Sequence, residues 1–257
     1  MEQTFKEDFS MLDARVQTAH DREFAAGMER YFATGLGTNL DKLRNFAKYV
    51  PRQTMARFLG KHEMFEHILR IHGNIVECGV FLGGGLMTWA QFSAIYEPVN
   101  HSRKIIGFDS FTGFPSVSEK DDGDNRQWAR PSGLACPAFE DLKECIRLYD
   151  LNRHVGHIPR VELVVGDAMQ TIPDYANRNR HLVVALLYLD FDLYEPTKLA
   201  LETFLPRMPK GAILAFDELN HAAWPGETLA VMETVGLRNL KIRCFPTTPA
   251  ISYAVIE

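Results

Sequence analysis

The chain closes with LKIRCFPTTPAISYAVIE (240–257), two apolar, β-branched runs separated only by Pro246 to Ala250. So short a link cannot carry a parallel crossover, so the two runs are expected to be antiparallel neighbours. Upstream lie five more runs: NIVECGV (74–80), KIIGFDS (104–110), VELVVGDA (161–168), HLVVALLYLDFD (181–192) and GAILAFDEL (211–219). Helical or loop-like segments separate them. Their hydrophobicity is continuous rather than alternating, the pattern of parallel strands covered by helices on both faces. Five parallel strands ending in a hairpin predict a doubly wound, Rossmann-like α/β sheet. A nicotinamide-dinucleotide domain differs, because its sixth strand follows another crossover.

Residues 1 to about 70 read differently. Leu40 to Tyr49 and Met55 to Ile71 carry apolar residues at spacings of three and four, interrupted by Pro51, and no strand is expected. The expected division is a helical extension over 1–70, as a lid or oligomer contact, and a catalytic domain over 71–257. The 257 residues are 46% hydrophobic, enough for a sizeable core. Net charge is −5 with scattered basic residues, which argues against a nucleic-acid partner. The charged start MEQTFKEDFS and the lack of a long apolar run predict a cytoplasmic protein without a membrane partner. Cys78, Cys136, Cys145 and Cys244 show no C-x-x-C spacing. Cys78 and Cys244 lie in strand-like runs and are expected as buried free thiols.

The first strand runs into Glu77-Cys-Gly-Val-Phe-Leu-Gly-Gly-Gly85 and then a helix. Glycines at such a turn allow close approach to a ligand and leave N–H groups free at the helix start. The pattern E-x-G-x-x-x-G-G is not G-x-G-x-x-G. An acid two residues before the first glycine repels a pyrophosphate but attracts an ammonium. The second strand ends at Asp109, placed to accept from both hydroxyls of a ribose. The third ends at Gly166-Asp167-Ala168, where an acid and a small residue can border an adenine. One acid at a strand end is as readily a cap or turn former. Three acids and a glycine turn at successive strand ends favour a ligand site. The long connection 112–138 follows the second strand and reads as a substrate lid or a variable surface loop.

The fourth run ends in Asp190-Phe-Asp192, the fifth in Asp217-Glu218. In an extended strand, residues two apart share a face, so Asp190 and Asp192 are expected side by side, with Phe191 turned toward packing. Carboxylates converging from neighbouring strands need a proton, a cation or solvent. An oxygen-only ligand set favours a hard cation such as Mg²⁺, with Ca²⁺ or Mn²⁺ as chemical alternatives. One carboxylate held off the cation can act as base. His221, close behind Glu218, is a candidate for that part, because histidine is the side-chain type with an unperturbed pKa near neutrality. Trp128 and Trp224 can stack on a ligand ring or cover the core. Tyr194 and Glu195 are expected to cap a helix beginning near Pro196.

From Asn74 to Glu257 the sequence resembles class I S-adenosylmethionine-dependent methyltransferases. LDFDLYEPTKLAL (189–201), PKGAILAFDE (209–218) and DSFTGFP (109–115) are similar to one branch, the macrocin-type sugar O-methyltransferases. The resemblance implies S-adenosylmethionine as cofactor. Glu77, Gly79, Val80, Gly83 and Gly84 would face its methionine part, Asp109 and Ser110 the ribose, and Gly166, Asp167 and Ala168 the adenine. Asp190 would adjoin the cofactor as well. It further implies Asp190, Asp217 and Glu218 as Mg²⁺ ligands, Asp192 as base and a deoxysugar hydroxyl as acceptor, free in a nucleotide sugar or glycosidic. A homodimer or higher homo-oligomer is expected. Two positions depart from the family pattern: Phe191 replaces a common Gly, and Glu218 a usual second Asp. The alternatives are metal-independent O- or N-methylation of another small molecule, with Asp192 or His221 as base, and a non-catalytic cofactor-binding protein.

Overall fold

The computed structural model describes residues 18–124 and 127–257, so the charged start and two residues of the 112–138 connection lie outside the described residues. Its contacts form two compact units, Met1–Met55 and Ala56–Glu257. The first holds α1 (Ala19–Thr34) and α2 (Asn39–Arg44). Both begin at a capping box, Thr18 with Asp21 and Thr38 with Asp41, in which hydroxyl and carboxylate satisfy backbone N–H groups at the helix start. No α1 residue is buried, and Leu36 is 92% exposed.

Helix α3 (Arg52–Ile68) runs across the boundary between the units. The second unit continues with β1 (Asn74–Cys78), α4 (Gly84–Tyr96), β2 (Ile105–Asp109), α5 (Phe139–Leu151) and β3 (Val161–Val165). Then follow α6 (Ala168–Arg178), β4 (Val184–Leu189), α7 (Tyr194–Phe204), β5 (Ile213–Phe216), α8 (Pro225–Thr234), β6 (Arg243–Phe245) and β7 (Thr248–Val255). The seven strands form one sheet in the order β3-β2-β1-β4-β5-β7-β6. The first five are parallel, while β7 is antiparallel to both β5 and β6. The hairpin turn is tighter than the sequence suggested, because β7 starts at Thr248.

Strand parity explains the continuous hydrophobicity. Ile75, Ile105, Leu186, Tyr188, Ile213 and Ala215 pack on one face with Met64, Phe65 and Ile68 of α3 and Leu86 and Trp89 of α4. Val76, Cys78, Ile106, Phe108, Leu187, Leu189, Leu214 and Phe216 pack on the other, with residues of α6, α7 and α8. Each strand therefore needs an apolar residue at nearly every position. Glu77 and Tyr188 are register partners on β1 and β4, so both point to the α3 face among apolar neighbours.

Three expectations need correction. Cys78 is buried, but Cys244 is exposed, since β6 is a three-residue edge strand that buries only Phe245. Helix α7 begins at Tyr194 itself. Its first N–H donates to Asp121 Oδ1 at 2.7 Å, so a residue far away in sequence supplies the cap expected of Tyr194 and Glu195. Finally, β4 stops at Leu189, and Asp192 has φ +62°, a left-handed turn conformation. Asp190 and Asp192 meet through that turn, not through strand alternation.

Candidate active site

The glycine turn is stitched to the end of β2. Asp109 Oδ2 accepts from the N–H groups of Val80 and Phe81, each at 2.8 Å, and Oδ1 from Phe111 N at 2.7 Å. A carboxylate has about four acceptor sites, so Oδ1 keeps capacity for a ribose hydroxyl while the acid also shapes the loop. Gly79 has φ +95°, and a Cβ there would collide with the carbonyl oxygen of Asp190. Only glycine lets β1 and β4 finish that close together. Gly83 is the N-cap of α4 and Gly84 its first residue. Ser110 Oγ donates to Gly113 O at 2.6 Å and so tightens the turn after β2. Gly166 N donates to Asp109 O, and Asp167 caps α6 by accepting from Met169 N at 2.9 Å, with Ala168 next in the helix.

The paired acids do converge. Asp190, Asp192 and Glu218, all half-buried, each bring one carboxylate oxygen within 4.8 Å of the others. Glu227 stands beside them and is wholly buried; its Oε1 accepts from Glu218 N at 3.1 Å. Glu227 Oε2 and Glu218 Oε2 are buried without a hydrogen-bond partner among the described residues. Burial first, then the charges of Asp217, Asp121 and Asp109, push Asp192 up to about 8. Asp190 is raised by burial and by Asp217 and Asp192. Glu218 is raised by burial and by Asp217, Asp192 and Asp190, and Glu227 by burial, Asp217 and Asp192. Such a set holds protons unless a cation compensates it. Orphaned carboxylate oxygens and an all-oxygen donor set fit a hard divalent cation.

Asp217 also has partners on the α3 side. Extended backbone puts it on the face of Ile213 and Ala215, toward α3. There its Oδ1 accepts from Arg57 Nη2 at 2.5 Å and from the Tyr188 hydroxyl. Burial works to raise this carboxyl, but the charge of Arg57 and the hydrogen bonds of Glu218, Arg57 and Tyr188 outweigh it and hold Asp217 below the usual carboxylate range. One helical turn on, Lys61 Nζ lies 3.4 Å from Glu77 Oε2 and above the rings of Tyr188 and Trp89. Trp89 Nε1 donates to the same Glu77 oxygen at 2.5 Å. Glu77 is 2% exposed, and a Cβ on Gly85 would press into its carboxylate. It therefore sits beneath the glycine turn, braced from inside the core. Burial raises it despite the opposing charge of Lys61.

Sequence reasoning missed Arg57, Lys61, Asp121 and Glu227. A signal existed for two of them. Arg57, Lys61, Met64, Phe65 and Ile68 fall at helical spacings, so both cations lie on the stripe that α3 buries. Asp121 and Glu227 carried no local pattern. His221 and Trp224 follow β5 in a turn; His221 is exposed, and Trp224 meets Phe114 edge-on at 6.0 Å between ring centres. Phe191 packs against the apolar cluster on the α7 face, as expected. The 112–138 connection is tied down near the acids by Asp121 and by Lys120, whose Nζ lies 2.7 Å from Glu233.

A parallel sheet closed by an antiparallel pair, with acids and a glycine turn at its carboxyl edge, defines a class I methyltransferase fold. The chain belongs to the macrocin-O-methyltransferase (TylF) family, which it matches over residues 28–241. A crystal structure of CalS11, a calicheamicin methyltransferase, superposes with a TM-score of 0.90 at 33% identity, covering 97% of this chain and 98% of that one. The apo form of CalS11, described as a TDP-rhamnose 3'-O-methyltransferase, gives a TM-score of 0.81 at 33% identity, covering 95% and 99%. An O-methyltransferase acting on 8-demethyl-8-(2,3-dimethoxy-alpha-L-rhamnosyl)-tetracenomycin-C, at its 4' position, from Streptomyces olivaceus is 27% identical over 150 residues, 58% of this chain and 53% of that one. The demethyldecarbamoylnovobiocin O-methyltransferase of Streptomyces niveus is 26% identical over 151 residues, with the same shares. The chain thus spans about half the length of these two curated relatives.

Proposed function

We propose that the protein transfers a methyl group from S-adenosylmethionine to a hydroxyl of a nucleotide-linked deoxyhexose, with Mg²⁺ held by the acid cluster. The observation that carries this reading is the convergence of Asp190, Asp192 and Glu218 beside the Gly79 turn. The likeness to CalS11 over almost the whole chain supports the acceptor class.

When bound, the sulfonium cofactor supplies the methyl group, whose bond electrons stay with sulfur, and a hard cation lowers the pKa of the hydroxyl it touches. The protein's own work is orientation and proton transfer. Asp109 accepts from the ribose, and the turn from Gly79 to Gly84 lets backbone approach the methionine part. Gly166, Asp167 and Ala168 border the adenine. Asp190 and Glu218 would hold the cation, with Asp217 beside them. Asp192, whose carboxyl burial and neighbouring charges raise, would ionise beside such a cation and would take the acceptor hydroxyl's proton. Alignment of oxygen, methyl and sulfur then supplies much of the rate.

This reading places the protein in the cytoplasm, where cofactor and nucleotide sugar are made. It works as a homo-oligomer, through the exposed apolar residues Leu36, Leu40, Leu43 and Phe46 of the helical unit. Light scattering of the full chain checks the latter; a mass of one chain rules it out. For the activity, the chain is incubated with cofactor, Mg²⁺ and a panel of nucleotide-linked deoxyhexoses, and products are read by mass spectrometry. A sugar gaining one methyl only with cation present is the expected result. Full turnover under chelator removes the cation from the mechanism, and cofactor binding without any product leaves a non-catalytic binder.

A further inference from the structure

We propose that a cavity at the amino edge of the sheet, opposite the acid cluster, binds a small hydroxylated phosphate ester of the hexose phosphate kind, with its phosphate at Lys104, His72 and His181. None of the residues lining the cavity belongs to the glycine turn or the acid cluster, so the site stands apart from the proposed function.

The cavity has a volume of about 380 Å³, within the range of small-molecule sites. It lies where the chain enters β1, β2 and β4, beside the end of α6. Asn74 ties these three entries together. Its Oδ1 accepts from Lys104 N at 2.7 Å, and its Nδ2 donates to Val183 O at 3.2 Å. Gly73 has φ +138°, and a Cβ there would come within 2.8 Å of Ala185 N, so glycine lets the 72–73 link run that close to β4. Arg103, 4% exposed, fastens the preceding turn by donating to the carbonyls of Ile68, Ile71 and Gly73. Its Nε donates to Glu97, so its charge is already matched. The wall is thus held by buried bonds before any ligand arrives.

The lining divides by chemistry. Lys104, His72 and His181 come from the three entries that Asn74 joins. The lysine is half-buried and the histidines are exposed, and none of the three has a hydrogen bond or ion pair with another described residue. A phosphate presents acceptor oxygens in several directions, which suits donors from three loops better than the flat pair of a carboxylate. Ile106 and Glu162 are register partners on β2 and β3 and line another part of the cavity. The Tyr175 hydroxyl donates to Glu162 Oε2 at 3.1 Å, which leaves Oε1 to accept from a ligand hydroxyl. An acid there disfavours a bare anion and favours a ligand whose anionic end and hydroxylated body are separate. Ile106 and Leu182, both buried, offer apolar surface to ring carbons. A metal ion suits the cavity poorly, because His72, His181 and Glu162 do not converge to ligating distance and Lys104 adds like charge.

The test is calorimetric titration of glucose 1-phosphate, inorganic phosphate and glucose into the full chain, with melting curves to verify folding. Glucose 1-phosphate should bind at one site, inorganic phosphate about fivefold or more weakly, and glucose not detectably. Lys104→Gln should weaken the ester about tenfold or more and His181→Ala about threefold or more, whereas Asp192→Asn should leave it within about twofold. Glu162→Ala should narrow the difference between ester and inorganic phosphate. A folded wild-type chain that does not bind the ester overturns the proposal. Equal affinity for ester and inorganic phosphate also overturns it, leaving a plain anion site. So does ester binding that survives Lys104→Gln and His181→Ala but is lost in Asp192→Asn, since the sugar phosphate would then sit at the acid cluster. His181 is exposed, so its variant decides the matter even if Lys104→Gln does not fold.

Discussion

Lys61 and Glu77 form an ion pair inside the core, with Nζ 3.4 Å from Oε2, both residues at most 5% exposed, and the Tyr188 ring directly beneath the ammonium. A pair taken out of water adds little net stability, yet removal of one partner leaves an uncompensated buried charge. Lys61→Met should therefore cost about 3–5 kcal/mol in urea unfolding. Adding Glu77→Gln should recover part of that loss, because the remaining group is neutral. If the double variant is less stable than Lys61→Met, the pair is not what holds this region.

The proposed mechanism makes Asp192, a member of the acid cluster on a left-handed turn, the proton acceptor. Asp192→Asn should lower kcat about 10²–10⁴-fold while cofactor affinity changes little. His221→Asn should leave kcat within a few-fold, because the ring is exposed in the turn after β5. Steady-state kinetics with calorimetric cofactor binding separate the two. A large kcat loss from the histidine variant alone would transfer the base assignment to it.

The raised carboxyls give the cation-free protein a pH dependence of definite sign. Asp192 titrates near 8 in the fold, against about 4 in an unfolded chain. Between those values the folded state binds more protons than the unfolded one, so stability falls as pH rises through that window. Asp190, Glu218 and Glu227 are shifted in the same direction and add to the slope. In chelator, Tm should drop between about pH 5 and pH 8, Mg²⁺ should restore it most at the upper end, and Asp192→Asn should flatten the curve. A Tm that climbs over this range contradicts the protonated cluster.

Asp121 joins the 112–138 connection to the start of α7 through its bond with Tyr194 N and to itself through Ser118. Asp121→Ala strips the cap from a buried N–H and should cost about 1–3 kcal/mol. The freed segment should also become the preferred site of limited proteolysis. Asp121→Asn, which keeps an acceptor oxygen, should retain most of the protection.

The sheet was legible because its strands follow a one-dimensional rule. Runs buried on both faces are apolar at nearly every position, and the Pro246–Thr247 turn is too short for anything but antiparallel pairing. The acidic edge was legible for a related reason: a parallel sheet collects its strand ends on one side, so Glu77, Asp109, Asp167, Asp190 and Asp217 come from the same edge. What those acids do at that edge was not legible. Glu77 is braced by Lys61 and Trp89, and Asp167 serves as the cap of α6.

The sequence by itself determined the order of strands and helices, the antiparallel ending and the family, since periodicity, link length and motif are properties of consecutive residues. Only the tertiary structure decided how the carboxylates divide. Asp217 and Glu218 are neighbours in the chain, yet one faces Arg57 on α3 and the other joins Asp190 and Asp192. Their separation is set by strand parity and by a helix whose charges lie about 160 residues away. In a low-dielectric interior, the partner across the gap decides whether an acid is held charged, as Asp217 is by Arg57, or pushed toward its protonated form, as Glu218 is.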